Sequence, residues 1–328
     1  MPSLGLADHQ VDRFRRDLLT LSGQGFRRIG VALSGGADSL GLLLLAVAAF
    51  PGRTLAATVD HNLRSGSAAE AARARATCET LGVPHRTLVV EVGAVPSVQA
   101  AARAARYAAL ERWAGEEEID VLVTGHQLDD QAETLLMRLL RGSGAAGLAG
   151  VRARMVLSGD LLLCRPLLGW RRSELSALVR EAGLVPVADP SNTNDAYDRT
   201  RIRRLLAETP WLDPRPLARS AAALADAEEA VEAVVAVKAK ERITATAAGV
   251  ALDARGLPRE LVRRLLLRAL REIEPAASPR GDQVGALIVE LEAGGTATLA
   301  GVKCTGGQVW RLSKCPPRRP RGDTLSKP

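Results

Sequence analysis

The chain has 328 residues, 47% hydrophobic and 25% charged, an ordinary globular composition for about two domains that excludes disorder throughout. Its longest apolar run, Leu40 to Phe50, is about half of the roughly 20 residues a membrane span needs, and its first thirty residues hold no apolar signal segment, so the cytoplasm is expected and no membrane partner. The net charge of +7 is uneven: residues 1–215 carry 26 basic and 24 acidic groups, the rest 18 and 13, so the later part better suits a polyanion.

Residues 28–140 alternate short apolar runs with longer amphipathic stretches, a pattern that predicts parallel strands joined by crossover helices. Strands are predicted at Arg28–Leu33, Leu55–Val59, Thr87–Glu91 and Asp120–Thr124, and helices at Ser39–Phe50, Ala68–Leu81, Ser97–Trp113 and Asp130–Arg141. The implied fold class is α/β, an open doubly wound parallel sheet, whose ligands bind beyond the carboxyl ends of the strands.

A Gly-rich loop after Gly142 leads to a predicted hairpin, Val151–Val156 and Asp160–Cys164, turning at Ser158-Gly159. A short helix, Arg171–Ala182, and a polar stretch, Asp189–Asp198, follow. Three prolines in Pro210–Pro216 read as a linker between a domain over 1–209 and a smaller α+β domain over 217–315. That second domain opens with an Ala-rich helix from Leu217 to about Arg242, then a strand, two helices and short strands. Residues 316–328, rich in Pro and Arg, are expected to form a disordered basic tail.

The first predicted strand runs into Ser34-Gly35-Gly36-Ala37-Asp38-Ser39, where a helix begins. Free N–H groups at such a turn, aided by the helix dipole, cradle phosphate. The lysine of a Walker loop is missing, and Asp38 stands near that end instead, suited to holding magnesium on a polyphosphate. The competing interpretation is that Asp38 or Ser39 merely caps the helix.

Ser34 to Ser39 matches the SGGxDS signature of the N-type ATP pyrophosphatases, and the chain resembles that superfamily. The resemblance implies an adenine nucleotide alpha hydrolase-like fold. It also implies ATP cleavage between the α- and β-phosphates, with adenylation of a carbonyl oxygen.

Four further segments narrow the resemblance. Val59-Asp60-His61-Asn62-Leu63-Arg64 puts polar side chains at a strand end, although a solvated turn would look the same. Asp130 and Glu133 share a helix face after the fourth strand, although Asp-x-x-Glu there is also a capping box. Arg103 and Arg106 share another face, where guanidinium groups could grip phosphate or stabilise charge on a base carbonyl. Four arginines in six residues, Arg199, Arg201, Arg203 and Arg204, read equally as a phosphate-contacting patch or a charged helix face.

HxxDDQAET followed by LLMRLLRGSG, Arg106-Tyr107, and Asp189-Pro-Ser-Asn with the later arginines all resemble the tRNA(Ile)-lysidine synthetase family. Thr200 stands where that family's pattern has asparagine. The resemblance covers residues 29 to about 206. It implies ATP-dependent ligation of L-lysine to carbon 2 of the wobble cytidine of CAU-anticodon isoleucine tRNA. It implies catalytic roles for Asp38, Arg106, Asp130 and Glu133, and ATP binding by Ser34, Gly35, Gly36, Ala37, Asp38 and Ser39. Magnesium on Asp38 and Asp130, and tRNA contacts from Arg199, Arg201, Arg203 and the basic C-terminal domain, complete the expectation. The length leaves room for one C-terminal domain, a short form of the family, and a homodimer is compatible with the sequence.

The nearest rival is a tRNA thiolase, but Cys78, Cys164, Cys304 and Cys315 form no C-x-x-C pair and lie at no matching motif. A glutamine-dependent amidotransferase would need a further domain. A non-catalytic RNA-binding relic would be expected to lose Asp38, Asp130 and Glu133, all of which are present.

Overall fold

The computed structural model describes residues 5–23, 25–61, 66–90, 98–187 and 198–315. Helix α1 (Asp8–Ser22) precedes a run of strands and helices: β1 (Ile29–Ala32), α2 (Ala37–Ala49), β2 (Thr54–Asp60), α3 (Ser67–Thr80), β3 (His85–Val89), α4 (Val98–Glu116), β4 (Val121–Thr124) and α5 (Leu128–Leu140). The predicted strands and helices of this region are all found. Helix α1 was not among them, although Val11, Phe14, Leu18 and Leu21 recur at helical spacing and pack on the core.

The sheet order is β3-β2-β1-β4-β6-β5, with β6 (Leu162–Cys164) parallel to β4 and β5 (Arg154–Val156) antiparallel to β6. The hairpin is as expected, and Gly159 takes the left-handed conformation in its turn. All four residues of β1 and of β4 are buried, since helices cover both faces of a parallel sheet. Strand order steps outward from β1 to β3 and returns to β4 on the other side of β1. The two central strands run side by side, Ala32 opposite Thr124, so the chain reversal opens a crevice at their carboxyl ends.

Helix α6 (Ala145–Leu148) lies between α5 and the hairpin, and α7 (Arg172–Glu181) and α8 (Asp198–Glu208) follow the hairpin. Helix α9 (Pro214–Arg242) starts inside the stretch expected to be a linker; Pro214 begins the helix, where its missing N–H leaves no bond unmade. The chain divides into two compact units later than expected, between Asp226 and Ala227.

The second unit carries an antiparallel sheet in the order β7 (Ile243–Thr246), β8 (Gly249–Leu252), β11 (Trp310–Lys314), β10 (Val302–Thr305), β9 (Thr296–Leu299). Helices α10 (Arg259–Ile273) and α11 (Gly281–Glu292) share a core with it through Leu265, Leu266, Leu270, Ile288, Trp310 and Leu312. This is the smaller α+β region expected. Among the described residues no helix is long and apolar enough to cross a membrane.

Candidate active site

The loop after β1 is built to leave backbone donors bare. Gly35 turns the chain at φ +80°, a left-handed conformation that disfavours a side chain, and its carbonyl accepts the Val187 N–H at 2.9 Å. Ser39 latches the loop: its Oγ donates to the Gly36 carbonyl at 2.9 Å and lies 3.1 Å from Ser34 Oγ. The N-cap of α2 is Gly36, which has no side-chain cap bond. Neither Asp38 nor Ser39 caps the helix, so the first-turn N–H groups keep their affinity for an anion.

Asp38 sits at the mouth of this cradle. Burial raises its pKa to about 6, against the pull of Arg172, and its Oδ1 is buried without a hydrogen-bond partner among the described residues. The loop after β4 closes against it: a Cβ on Gly125 would lie 3.0 Å from the Asp38 backbone carbonyl, so this close approach requires glycine.

Helix α5 has a capping box, one turn earlier than Asp130 and Glu133. The Gln127 side chain caps it, and Asp130 Oδ2 accepts the Gln127 N–H at 3.2 Å. Glu133 is therefore no cap. Its carboxylate, 1% exposed, takes Arg172 and Arg203 on Oε1 at 2.7 and 2.9 Å and Arg199 on Oε2 at 2.7 Å. Burial opposes its charge, but these three guanidinium groups outweigh that and hold its pKa below the usual range. Asp130 Oδ1 lies 2.8 Å from Arg199 and 3.4 Å from Arg172, yet burial prevails and its pKa is raised.

Arg172 was not among the expected site residues. Its Nε stands 4.0 Å from Asp38 Oδ2 while its Nη2 binds Glu133, so one guanidinium spans the carboxylates of α2 and α5. Its backbone N–H donates to Asp129 at 2.8 Å, which pins the start of α7 to the start of α5. Arg199 and Arg203, expected to meet tRNA phosphate, contact Asp130 and Glu133, and the Arg199 side chain stays 42% exposed. Arg201 is exposed on the same helix and lines a groove with Leu140 and Arg204.

Beside the phosphate loop, at the carboxyl ends of β1 and β2, lies a cavity of about 230 Å³ lined by Ser34, Thr58, Asp60, His61, Glu70 and Arg106, among others. Arg106 has no hydrogen-bond or ion-pair partner among the described residues, and burial, then the like charge of Arg103, pushes its pKa down. Burial, then the positive charge of Arg106, lowers the pKa of His61. His126, in the loop between β4 and α5, is pushed down to about 3 by burial and by Arg165, Arg106, Arg199 and Arg103, and its Nδ1 lies 2.9 Å from Thr124 Oγ1. Asn62, Leu63, Arg64 and the Asp189–Tyr197 segment lie outside the described residues.

Among the described residues no three His, Cys, Asp or Glu side chains cluster as a metal cage. Magnesium, however, needs only one or two carboxylates once polyphosphate supplies oxygens. The orphaned Asp38 Oδ1 beside the phosphate cradle fits that role; both oxygens of Asp130 are engaged.

The chain matches the PP-loop domain family over residues 8–209. It is 44% identical to the tRNA(Ile)-lysidine synthase of Zymomonas mobilis over 297 residues, 89% of this chain and 90% of that protein. It is 45% identical to the tRNA(Ile)-lysidine synthase of Novosphingobium aromaticivorans, covering 94% and 95%. Among solved structures, a U34-tRNA thiolase of Methanococcus maripaludis with a [4Fe-4S] cluster superposes with a TM-score of 0.53 at 19% identity, over 66% of this chain and 79% of that one, a likeness of fold. Its PP-loop domain and its near-full-length likeness to these synthases place the chain in the tRNA(Ile)-lysidine synthase family of PP-loop enzymes.

Proposed function

We propose that this chain uses ATP to join L-lysine to carbon 2 of the wobble cytidine of CAU-anticodon isoleucine tRNA. The observation that carries the reading is the meeting of two helix starts at the crevice. The α2 start offers bare N–H groups to a polyphosphate; the α5 start offers Asp130 and Glu133, and Arg172 spans the two.

The cytidine oxygen attacks the α-phosphate and pyrophosphate leaves. The lysine ε-amine then attacks carbon 2, the oxygen departs with AMP, and the amine gives up a proton. ATP is consumed because a carbonyl oxygen is a poor leaving group until it is adenylated. The first-turn amides of α2 hold the phosphates, and Asp38 would hold a magnesium ion whose charge offsets that of the polyphosphate. Arg106, unpaired among the described residues and lining the adjoining cavity, would stabilise negative charge developing during adenylation. Asp130 and Glu133 attract the lysine α-ammonium group, which would compete with Arg199 for Asp130. Arg201 and the basic second unit contribute to holding the tRNA.

A thiolase that works through an active cysteine is disfavoured by the thiols themselves. Burial pushes Cys78 up to about 12 and Cys164 up to about 11, far from the depressed pKa a nucleophilic cysteine needs. The reading is tested by nuclease digestion of tRNA treated with enzyme, ATP and lysine. Lysidine at the wobble position, accompanied by equal AMP, supports it; an unmodified cytidine overturns it.

A further inference from the structure

Arg199 and Arg203 of α8 pair with internal carboxylates. Further charge that can meet a polyanion beside the site stands on the neighbouring elements. Arg103 and Arg106 of α4, Arg138 of α5, and Arg152 and Arg165 at the hairpin have no carboxylate partner among the described residues. Arg138 reaches the Gly147 and Gly150 carbonyls, Arg152 that of Ala225, and Arg165 that of Arg152; such contacts fix geometry and cancel no charge.

These groups form one neighbourhood. Tyr107 Oη lies 3.5 Å from both Arg103 and Arg165, with the Arg103 guanidinium 5.0 Å over the Tyr107 ring. Arg165 is 2% exposed and its Nε is buried with no hydrogen-bond partner among the described residues. Arg106 and Arg138 are the two arginines, among the described residues, whose pKa is pushed down, by burial and then by nearby positive charge. The cluster reaches the candidate site at His126, which feels Arg165, Arg106 and Arg103 together. Concentrated, unpaired and partly desolvated positive charge beside a crevice calls for an anion with several phosphates in series.

We infer that Arg103, Arg138 and Arg152, backed by the buried charge of Arg165, form the surface that grips the phosphodiester backbone of the substrate RNA next to the reacting base. This rests on the reading of the substrate as RNA. The arginines position the strand and carry no sequence information themselves.

The test is binding of the full chain to a CAU anticodon stem–loop RNA, between about 50 and 200 mM salt. Arg103→Ala, Arg138→Ala and Arg152→Ala are each expected to lower the slope of log affinity against log salt by about one, with Lys at the same positions restoring it. Arg27→Ala, an exposed arginine just before β1 at the opposite end of the strands, is expected to change nothing. Arg103 makes only the long contact to Tyr107, so its variant stays interpretable if the other two fail to fold. Slopes unchanged in Arg103→Ala, or equally changed in Arg27→Ala, overturn the inference. Lysine incorporation by the unmodified enzyme is measured alongside. Its absence with an arginine-dependent slope overturns the proposed reaction and leaves this surface standing; its presence with an arginine-independent slope does the reverse.

Discussion

Arg172 stands 4.0 Å from Asp38 because the turns that follow them touch: a Cβ on Gly41, one turn beyond Asp38, would lie 3.3 Å from Leu175, one turn beyond Arg172. Helices α2 and α7 are thus packed at the distance that lets one guanidinium span the phosphate loop and the α5 carboxylates. Arg172→Ala is expected to lower kcat at least about tenfold with modest change in KM for ATP or lysine, since misplaced groups cost the chemical step. Arg172→Lys is expected to recover little, because an ammonium cannot span two carboxylates as a planar fork does. Steady-state kinetics of both variants, with melting curves to show they are folded, check this.

Asp38 gives a prediction with opposite signs for stability and activity. Its folded pKa of about 6 lies above the ordinary carboxylate value of 3.8, so between those pH values the folded state binds more protons and stability falls as pH rises. Above pH 6 the charged side chain costs the fold about 1–3 kcal/mol. Asp38→Asn is therefore expected to melt higher than the parent at pH 7.5 and at nearly the same temperature at pH 4, while losing lysine incorporation. Activity of the parent is expected to decline as pH falls below about 6.

Glu133 is the hub of three arginines and is 1% exposed. Glu133→Gln leaves those guanidinium groups facing a neutral amide, with an expected loss of about 3 kcal/mol. Denaturant unfolding measures it. Lysine incorporation by the fraction that remains folded is expected to fall by more than about tenfold, because the ammonium loses a charged partner.

In the second unit Arg264, 7% exposed, binds Glu228, itself 5% exposed, with Glu232 and Glu260 completing its contacts. Arg264→Ala removes the guanidinium that Glu228 binds inside the core and is expected to destabilise that unit by about 3 kcal/mol. Arg264→Ala paired with Glu228→Ala is expected to cost less than the sum of the two single changes, which a double-mutant cycle on thermal unfolding would show.

The parallel sheet was legible because strands buried on both faces read as short continuous apolar runs, as Ile29–Ala32 and Val121–Thr124 do. The phosphate loop was legible because every residue it needs lies within six consecutive positions. Asp130 and Glu133 were legible as a pair, though the cap that sets them, Gln127, was not. What local pattern could not convey is pairing across the fold. Arg199 and Arg203 lie 66 and 70 positions from Glu133, and nothing in their spacing distinguishes a helix face that meets carboxylates from one that meets phosphate. Arg172 lies 39 positions from Glu133, and its role emerges only when α7 packs on α2.

The most direct test of the account is tRNA-dependent incorporation of labelled L-lysine by the purified protein with ATP and magnesium, using CAU-anticodon isoleucine tRNA and an Asp38→Ala control. The account predicts acid-insoluble label that resists mild base, unlike an aminoacyl ester, and that disappears in the control. Release of pyrophosphate with another acceptor, and no lysine in the tRNA, would contradict it.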